Sequence, residues 1–235
     1  MDSILNPLPS QQKKALRGSR KRCLDFTEGT NEEVAKRLME LVAPYAQVAP
    51  HNHQWMPKGH GNPAEAKLGQ ALLFLDTEKR KELTKWWLAG KGGANTPNWD
   101  IASRAIIDGK EGLILVEAKA HEREFSKSGK PQKANPSHDS TENQKRISAA
   151  IDEANRELNA LMPGWGLSID SHYQLTNRFT WAWKIASLGV PVILVYLGFL
   201  EATEMEDCGR PLKDAADWEQ VVLARSIGIV PRNAW

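Results

Sequence analysis

The chain has 235 residues, of which 41% are apolar and 26% charged, the composition of an ordinary soluble globular protein. That apolar content excludes disorder of the whole chain, and a net charge of +2 creates no global basic field that would by itself indicate nucleic acid. The longest apolar run, residues 190–200, is too short to span a bilayer, and residues 1–16 lack the apolar core of a signal peptide. We therefore expect a cytoplasmic protein with no membrane partner.

The cysteines and histidines indicate neither a disulfide framework nor a zinc site. Cys23 and Cys208 show no Cys-x-x-Cys spacing and are expected to be reduced thiols. Three histidines lie in a proline-rich loop predicted over residues 44–63: His51, His53 and His60. We interpret them as surface histidines, because no cysteine or aspartate accompanies them in the loop.

The first part of the chain, residues 1–60, is predicted to be a helical and loop extension. Residues 1–29 are expected to be irregular or weakly helical. Their basic run at 13–22 is either a solvated tail or a contact for phosphates. A clear helix is predicted over 30–42, which opens with a Thr-x-x-Glu capping box and carries apolar residues at helical spacing.

The second part, residues 61–235, is predicted to be the main domain, packed with the first as one structural unit. It opens with a helical region over 63–88 that breaks near residue 76. A β-hairpin follows, with strands over 100–107 and 113–120, because an Asp-Gly turn separates two apolar runs rich in β-branched residues.

The remaining predicted elements alternate between helix and strand. They are a loop over 126–140, helices over 142–161 and 171–188, a strand over 190–199 and a short helix over 217–225. The strand is almost continuously apolar, which is typical of a strand buried on both faces. This order predicts a mixed α/β (α+β) protein, a sandwich of helices around a central mixed β-sheet.

The hairpin carries an unusual set of charged side chains. Glu117 and Lys119 are two residues apart in a strand, so they leave the same face, while Val116 and Ala118 point into packing on the other. Asp100 begins the partner strand. Charges at the end of a buried strand are costly unless they are paired or bound to a metal.

The spacing alone is a weak signal, because Asp/Glu-x-Lys occurs three times in the chain. Residues 65–67 lie in a predicted first helical turn, where an acid complements the helix dipole, and residues 108–110 form the hairpin turn. Only residues 117–119 lie on an apolar strand with an acid at the foot of the partner strand. A cross-strand ion pair without catalysis remains an alternative interpretation of these residues.

The chemistry that suits this trio is phosphodiester hydrolysis. Two carboxylates converging with a backbone carbonyl form an oxygen-only site that suits Mg²⁺ or Mn²⁺. The metal would offset charge on the scissile phosphate and lower the pKa of a bound water. Lys119 would orient the attacking water or stabilise the transition state.

These residues resemble a known group of enzymes. Asn98-Trp99-Asp100, followed after sixteen residues by Glu117-Ala118-Lys119, is similar to the motif of the PD-(D/E)xK nuclease superfamily, which includes many restriction endonucleases. The resemblance covers roughly residues 60–200 and implies a restriction-endonuclease-like three-layer sandwich. The sequence departs from the superfamily at one position, because Trp99 and not a proline directly precedes the first acid.

The resemblance also implies roles for individual residues. Asp100, Glu117 and the backbone carbonyl of Ala118 would bind Mg²⁺ or Mn²⁺, and Lys119 would be the catalytic lysine. Four further polar residues are candidate accessory groups, each also explained as an ordinary polar side chain: Glu65, His121, Gln174 and Asn177.

The expected function is therefore a metal-dependent nuclease that acts on DNA more readily than on RNA, as a homodimer or as a subunit of a larger complex. Two alternatives stay open. One is a catalytically silent nuclease-fold subunit that binds or scaffolds a nucleic-acid-processing complex, which the low net charge favours. The other is an enzyme that uses Lys119 as a Schiff-base amine. The nine tryptophans favour core packing over stacking on bases.

Overall fold

The computed structural model describes residues 16–51, 54–70, 74–89, 96–131 and 134–235. The helices are α1 (Gly18–Phe26), α2 (Asn31–Val42), α3 (Thr77–Trp87), α4 (His138–Leu161), α5 (Tyr173–Ser187) and α6 (Ala215–Ser226). The strands are β1 (Ala46–Gln47), β2 (Trp55–Met56), β3 (Ala66–Lys67), β4 (Asn98–Trp99), β5 (Ile101–Ile107), β6 (Lys110–Lys119) and β7 (Val192–Gly198). Short 3₁₀ turns occur at Glu122–Glu124, Thr203–Met205 and Arg232–Ala234.

A five-stranded mixed sheet forms the centre of the molecule. β5 and β6 pair antiparallel as the hairpin, and β7 runs parallel to β6 along its other edge. β1 and β2 both pair antiparallel with the free edge of β5. The parallel β6–β7 pair is joined by the long connection that contains α4 and α5, as parallel strands require. β3 and β4 form a separate two-stranded ladder.

The central strand β6 is packed on both of its faces. Leu113 and Leu115 contact the cluster formed with α3, α4 and α5. Ile114, Val116 and Ala118 contact the cluster formed with α1 and α2. Helices thus cover both sides of the sheet, which confirms the predicted mixed α/β sandwich. Because side chains alternate along a strand, Glu117 and Lys119 lie on the same face of β6 as Leu115, which is the face towards α5.

Most predicted elements are present with shifted ends. The capping box of α2 is formed, since Thr30 and Glu33 each accept a hydrogen bond from the other's backbone N–H. α4 begins at His138, inside the loop predicted over 126–140. Ser137 caps the helix there, because its side chain accepts a hydrogen bond from the N–H of Ser140 at 3.3 Å.

The helical region predicted over 63–88 was wrong in its first half. β3 lies there and pairs with β4, so a tertiary ladder prevails over local helix propensity. The helix α3 begins only after Asp76, whose carboxylate accepts from the N–H of Lys79 at 2.8 Å. Residues 71–73 lie outside the described part of the chain.

Three further expectations were corrected. The loop predicted over 44–63 contains β1 and β2, because β5 offers an open edge for pairing. Residues 18–26 form the regular helix α1, which buries Cys23 and Leu24. β7 was expected to be buried on both faces, but each of its residues is partly exposed, because β7 is an edge strand of the described sheet.

Two simpler expectations concern the chain as a whole. Cys23 and Cys208 are both free thiols, with Cys23 buried. Across the described residues, no helix combines the length and the apolar character needed to cross a membrane.

The turn between β5 and β6 allows a test of backbone strain. Asp108 and Gly109 have φ angles of 48° and 75°, both in the left-handed region that a type I′ hairpin turn requires. We expect Gly109→Ala to lower the free energy of unfolding by about 1 kcal/mol, because a side chain is strained in this conformation. No atom lies within 4 Å of the added Cβ, so the effect isolates the backbone.

The matched control is Gly61→Ala. Gly61 also has open space around the added Cβ, but its φ lies outside the left-handed region. Its replacement should not lower the free energy of unfolding, since alanine restricts the unfolded chain more than glycine does. Urea unfolding of both variants is the measurement, and equal losses would contradict the strain assigned to Gly109.

Candidate active site

Three acidic residues meet at one end of the β5–β6 hairpin. Ile101 lies opposite Val116 in the hairpin, and extending that register by one residue places Asp100 beside Glu117. β3 and β4 pair antiparallel with Ala66 opposite Trp99, and the same extension places Glu65 opposite Asp100. The two pairings therefore place three acids at this end of the hairpin: Glu65, Asp100 and Glu117.

Glu117 is a buried carboxylate shared by two cations. Its residue is 1% exposed. Oε1 accepts a hydrogen bond from the ammonium of Lys119, and Oε2 accepts one from the guanidinium of Arg178. Burial opposes ionisation, but the charges of Arg178 and Lys119 outweigh it and hold the pKa of Glu117 below its ordinary value.

The helix α5 holds the charged groups of β6 in place. Gln174 and Arg178 are one turn apart on α5, so they share a face. The side-chain oxygen of Gln174 accepts a second hydrogen bond from Lys119 Nζ at 2.8 Å. The guanidinium of Arg178 lies 4.7 Å from the ring centroid of Trp99, within the range of a cation–π contact. α5 therefore connects β6 to β4.

Asp100 has a different environment. Its Oδ2 accepts a hydrogen bond from the backbone N–H of Ala118 at 2.8 Å, and within the described residues it forms no ion pair. Burial, and then the neighbouring charge of Glu117, raise the pKa of Asp100 to about 7. The N–H and C=O of a strand residue leave by the same edge, so the carbonyl of Ala118 is also directed to the Asp100 side.

Of the candidate accessory residues, two lie next to this group. Gln174 contacts Lys119, as described. Glu65 was predicted in a first helical turn, which was wrong, since it directly precedes β3. It forms an ion pair with Arg20 at 3.0 Å and accepts from the amide of Asn98 at 2.9 Å. Both of its carboxylate oxygens are therefore engaged.

The other two accessory candidates are not brought into contact with the trio. The ring of His121 lies 3.6 Å from the carboxylate of Glu124, and its Nδ1 is buried without a hydrogen bond. Asn177 is buried on α5 with its Oδ1 unpartnered, one residue away from Arg178. Neither forms a hydrogen bond with Glu117 or Lys119 among the described residues.

The described part of the basic run is paired with acids. The pairs are Arg17 with Asp207, Arg20 with Glu65, Lys21 with Asp25 and Arg22 with Glu204. Arg17 directly precedes α1 and the other three basic residues belong to it, so they do not form a solvated tail, whereas residues 13–15 lie outside the described part. The carboxylate of Asp25 also contacts the ring nitrogen Nε2 of His60 at 2.7 Å. His53 lies outside the described residues.

Two functional contacts were missed by sequence reasoning. Arg178 was passed over in favour of Asn177, although its spacing from Gln174 marks the same helix face. Trp99 was noted as a departure from the superfamily motif and as one of the core tryptophans, but its contact with Arg178 was not predicted. Trp87, Trp99 and Trp181 are all fully buried, which confirms core packing for these tryptophans.

The chain was compared with protein families, with curated proteins and with solved structures, and no match was found. In the described ranges, no three His, Cys, Asp or Glu side chains are arranged to hold a metal ion. A metal at this site would therefore be held by two carboxylates and a backbone oxygen.

Asp100 should make the stability of the protein depend on pH. Its pKa is raised from 3.8 to about 7 in the folded state, so the folded state binds the proton more tightly than the unfolded chain. The proton on Asp100 therefore stabilises the folded state. This stabilisation is complete below the pKa of the unfolded chain and is lost as the pH rises through the pKa of the folded state. The side chain of Asp100→Asn stays neutral at every pH. We expect its free energy of unfolding, relative to that of the wild type, to be about 1–3 kcal/mol higher at pH 8 than at pH 5.

Urea unfolding of both proteins at several pH values between 5 and 8 tests this expectation. Asparagine retains an oxygen that can accept the Ala118 N–H, so the comparison isolates the charge of Asp100. A difference in the free energy of unfolding between the two proteins that stays constant with pH would contradict the assignment of this effect to Asp100.

The pairing of Glu117 with Arg178 should be strongly coupled to folding. Arg178→Met leaves the buried carboxylate with one cation, and we expect it to lower the free energy of unfolding by about 3–5 kcal/mol. Arg17→Met breaks a surface pair with Asp207 and should lower the free energy of unfolding far less. Chemical unfolding of both variants is the measurement, and similar losses would contradict a buried, energetically coupled pair.

Proposed function

We propose that this protein is a divalent-metal-dependent nuclease that hydrolyses phosphodiester bonds, in DNA more readily than in RNA. The observation that carries the proposal is the convergence of Asp100, the Ala118 backbone, Glu117 and Lys119 at one end of the β5–β6 hairpin. The mixed sheet between two helical layers is in keeping with the restriction-endonuclease-like fold that the PD-(D/E)xK resemblance implies.

The donor set fits Mg²⁺ or Mn²⁺. Both metals prefer oxygen ligands, which Asp100, Glu117 and the carbonyl of Ala118 supply. Burial, and then repulsion from the charge of Glu117, raise the pKa of Asp100. A cation between the two carboxylates would remove that repulsion. When bound, the metal offsets charge on the phosphate and lowers the pKa of a coordinated water.

The other side chains position the reacting groups. Lys119 donates a hydrogen bond to Gln174. In the proposed reaction it orients the attacking water and stabilises charge that develops on the phosphate. Arg178 holds Glu117 from the side of α5 and packs on Trp99, which directly precedes Asp100 in the chain. It thereby links Glu117 to the residue that precedes Asp100.

One observation favours a second candidate function. Both carboxylate oxygens of Glu117 are bonded to cations, so the group is also a complete buried ion cluster. The paired basic residues of α1 add no free positive surface. A catalytically silent binding or scaffold subunit accounts for both facts. Unlike the nuclease, it would bind no metal, and Asp100→Asn would leave its affinity for nucleic acid unchanged.

A cleavage assay separates the two functions. Plasmid, linear and branched DNA, with RNA in parallel, should be cut in the presence of Mg²⁺ or Mn²⁺ and left intact with a chelator. We expect Lys119→Ala to reduce the rate by about 100-fold or more, the typical cost of removing one group that stabilises developing charge.

The chain supplies a matched control for this variant. Lys110 follows Asp108 at the same Asp/Glu-x-Lys spacing, but it is exposed beside the hairpin turn. Lys110→Ala should therefore cut at the wild-type rate. Absence of cleavage by the wild type, or full activity of Lys119→Ala, would rule out the proposed nuclease.

A further inference from the structure

We infer, on the basis of the function proposed above, that the site takes one divalent cation and not two. We further infer that Gln174 is a positioning residue that allows this cation to bind. Glu117 is bonded to two cations, so a metal that binds it competes with them, most readily with the cation that can withdraw. The surroundings of Lys119 and Arg178 decide which one withdraws.

Arg178 is the cation that stays. Its side chain is 9% exposed, and it is held by Glu117 on one side and by the ring of Trp99 on the other. Among the described residues its ion pair is with Glu117. Moving it away would leave its own buried charge without an ion-pair partner, which is strongly unfavourable. Oε1 of Glu117 is therefore the oxygen that a metal reaches more readily than Oε2.

Lys119 is the cation that moves. Its ammonium donates to Glu117 Oε1 and also to Gln174 Oε1, the latter at 2.8 Å. An ammonium on a flexible stem can give up one acceptor and keep the other. When a metal takes Oε1 of Glu117, Gln174 retains Lys119 close to the site.

The remaining oxygens suffice for one cation. They are Oε1 of Glu117, the carboxylate of Asp100 and the carbonyl of Ala118, with water completing the shell as Mg²⁺ prefers. Both oxygens of the nearby Glu65 are already engaged by Arg20 and Asn98. The charges of Asp100 and Glu117 are balanced by Lys119 and Arg178, so a second divalent ion would enter a region that the first has made positive.

The test is the stoichiometry of Mn²⁺ binding to the full chain without nucleic acid. Electron paramagnetic resonance of free Mn²⁺ at pH 8, above the pKa of Asp100, should give one bound ion per chain. Two bound ions would overturn this inference and leave the proposed nuclease standing. No bound Mn²⁺, together with no cleavage, would overturn the proposed function and the inference together.

Variants of Gln174 test its role separately. Gln174→Ala removes the second acceptor of Lys119, so the dissociation constant for Mn²⁺ should rise about tenfold, although Gln174 is not a metal ligand. Gln174→Glu keeps an acceptor and should restore at least the wild-type affinity. The control is Asn177→Ala on the same helix, which lacks a bond to Lys119 and should leave the affinity unchanged. An unchanged affinity in Gln174→Ala would refute the positioning role.

Discussion

The burial of one carboxylate organises this end of the molecule. Glu117 lies almost completely out of water, where a lone charge is unfavourable by several kcal/mol. The strand itself supplies one compensating cation, Lys119, and α5 supplies the other, Arg178. Arg178 in turn requires the ring of Trp99 as a packing surface. The position of α5 over the sheet and the approach of β4 are therefore both coupled to this single charge.

The neighbouring acid, Asp100, lies in a different environment from Glu117. Asp100 lies beside Glu117 without a cation of its own, and burial and repulsion raise its pKa to about 7. A group selected for stability alone would be paired or replaced by an apolar residue. Strongly shifted pKa values cluster at functional sites, and the proposed metal site rests on this difference between the two acids. This asymmetry distinguishes the site from the surface ion pairs of α1.

The parts of the site that sequence predicted are those with local causes. The hairpin follows from an Asp-Gly turn between apolar runs, and the shared face of Glu117 and Lys119 follows from the two-residue period of a strand. Prediction failed at residues 66–67, because their pairing with β4 depends on a distant segment. It also chose Asn177 where the structure uses Arg178, since the rotation of α5 about its axis is decided by packing against the sheet.

By itself the sequence determined the β5–β6 hairpin, the capped helix α2 and the candidate trio, because strand period, turn chemistry and helix caps act between near neighbours. Only the tertiary structure decided which partners the charges have. Arg178 is 61 residues from Glu117 along the chain, and Gln174 is 55 from Lys119. Such contacts exist only once packing has excluded water, and it is that exclusion which sets the different pKa shifts of Glu117 and Asp100.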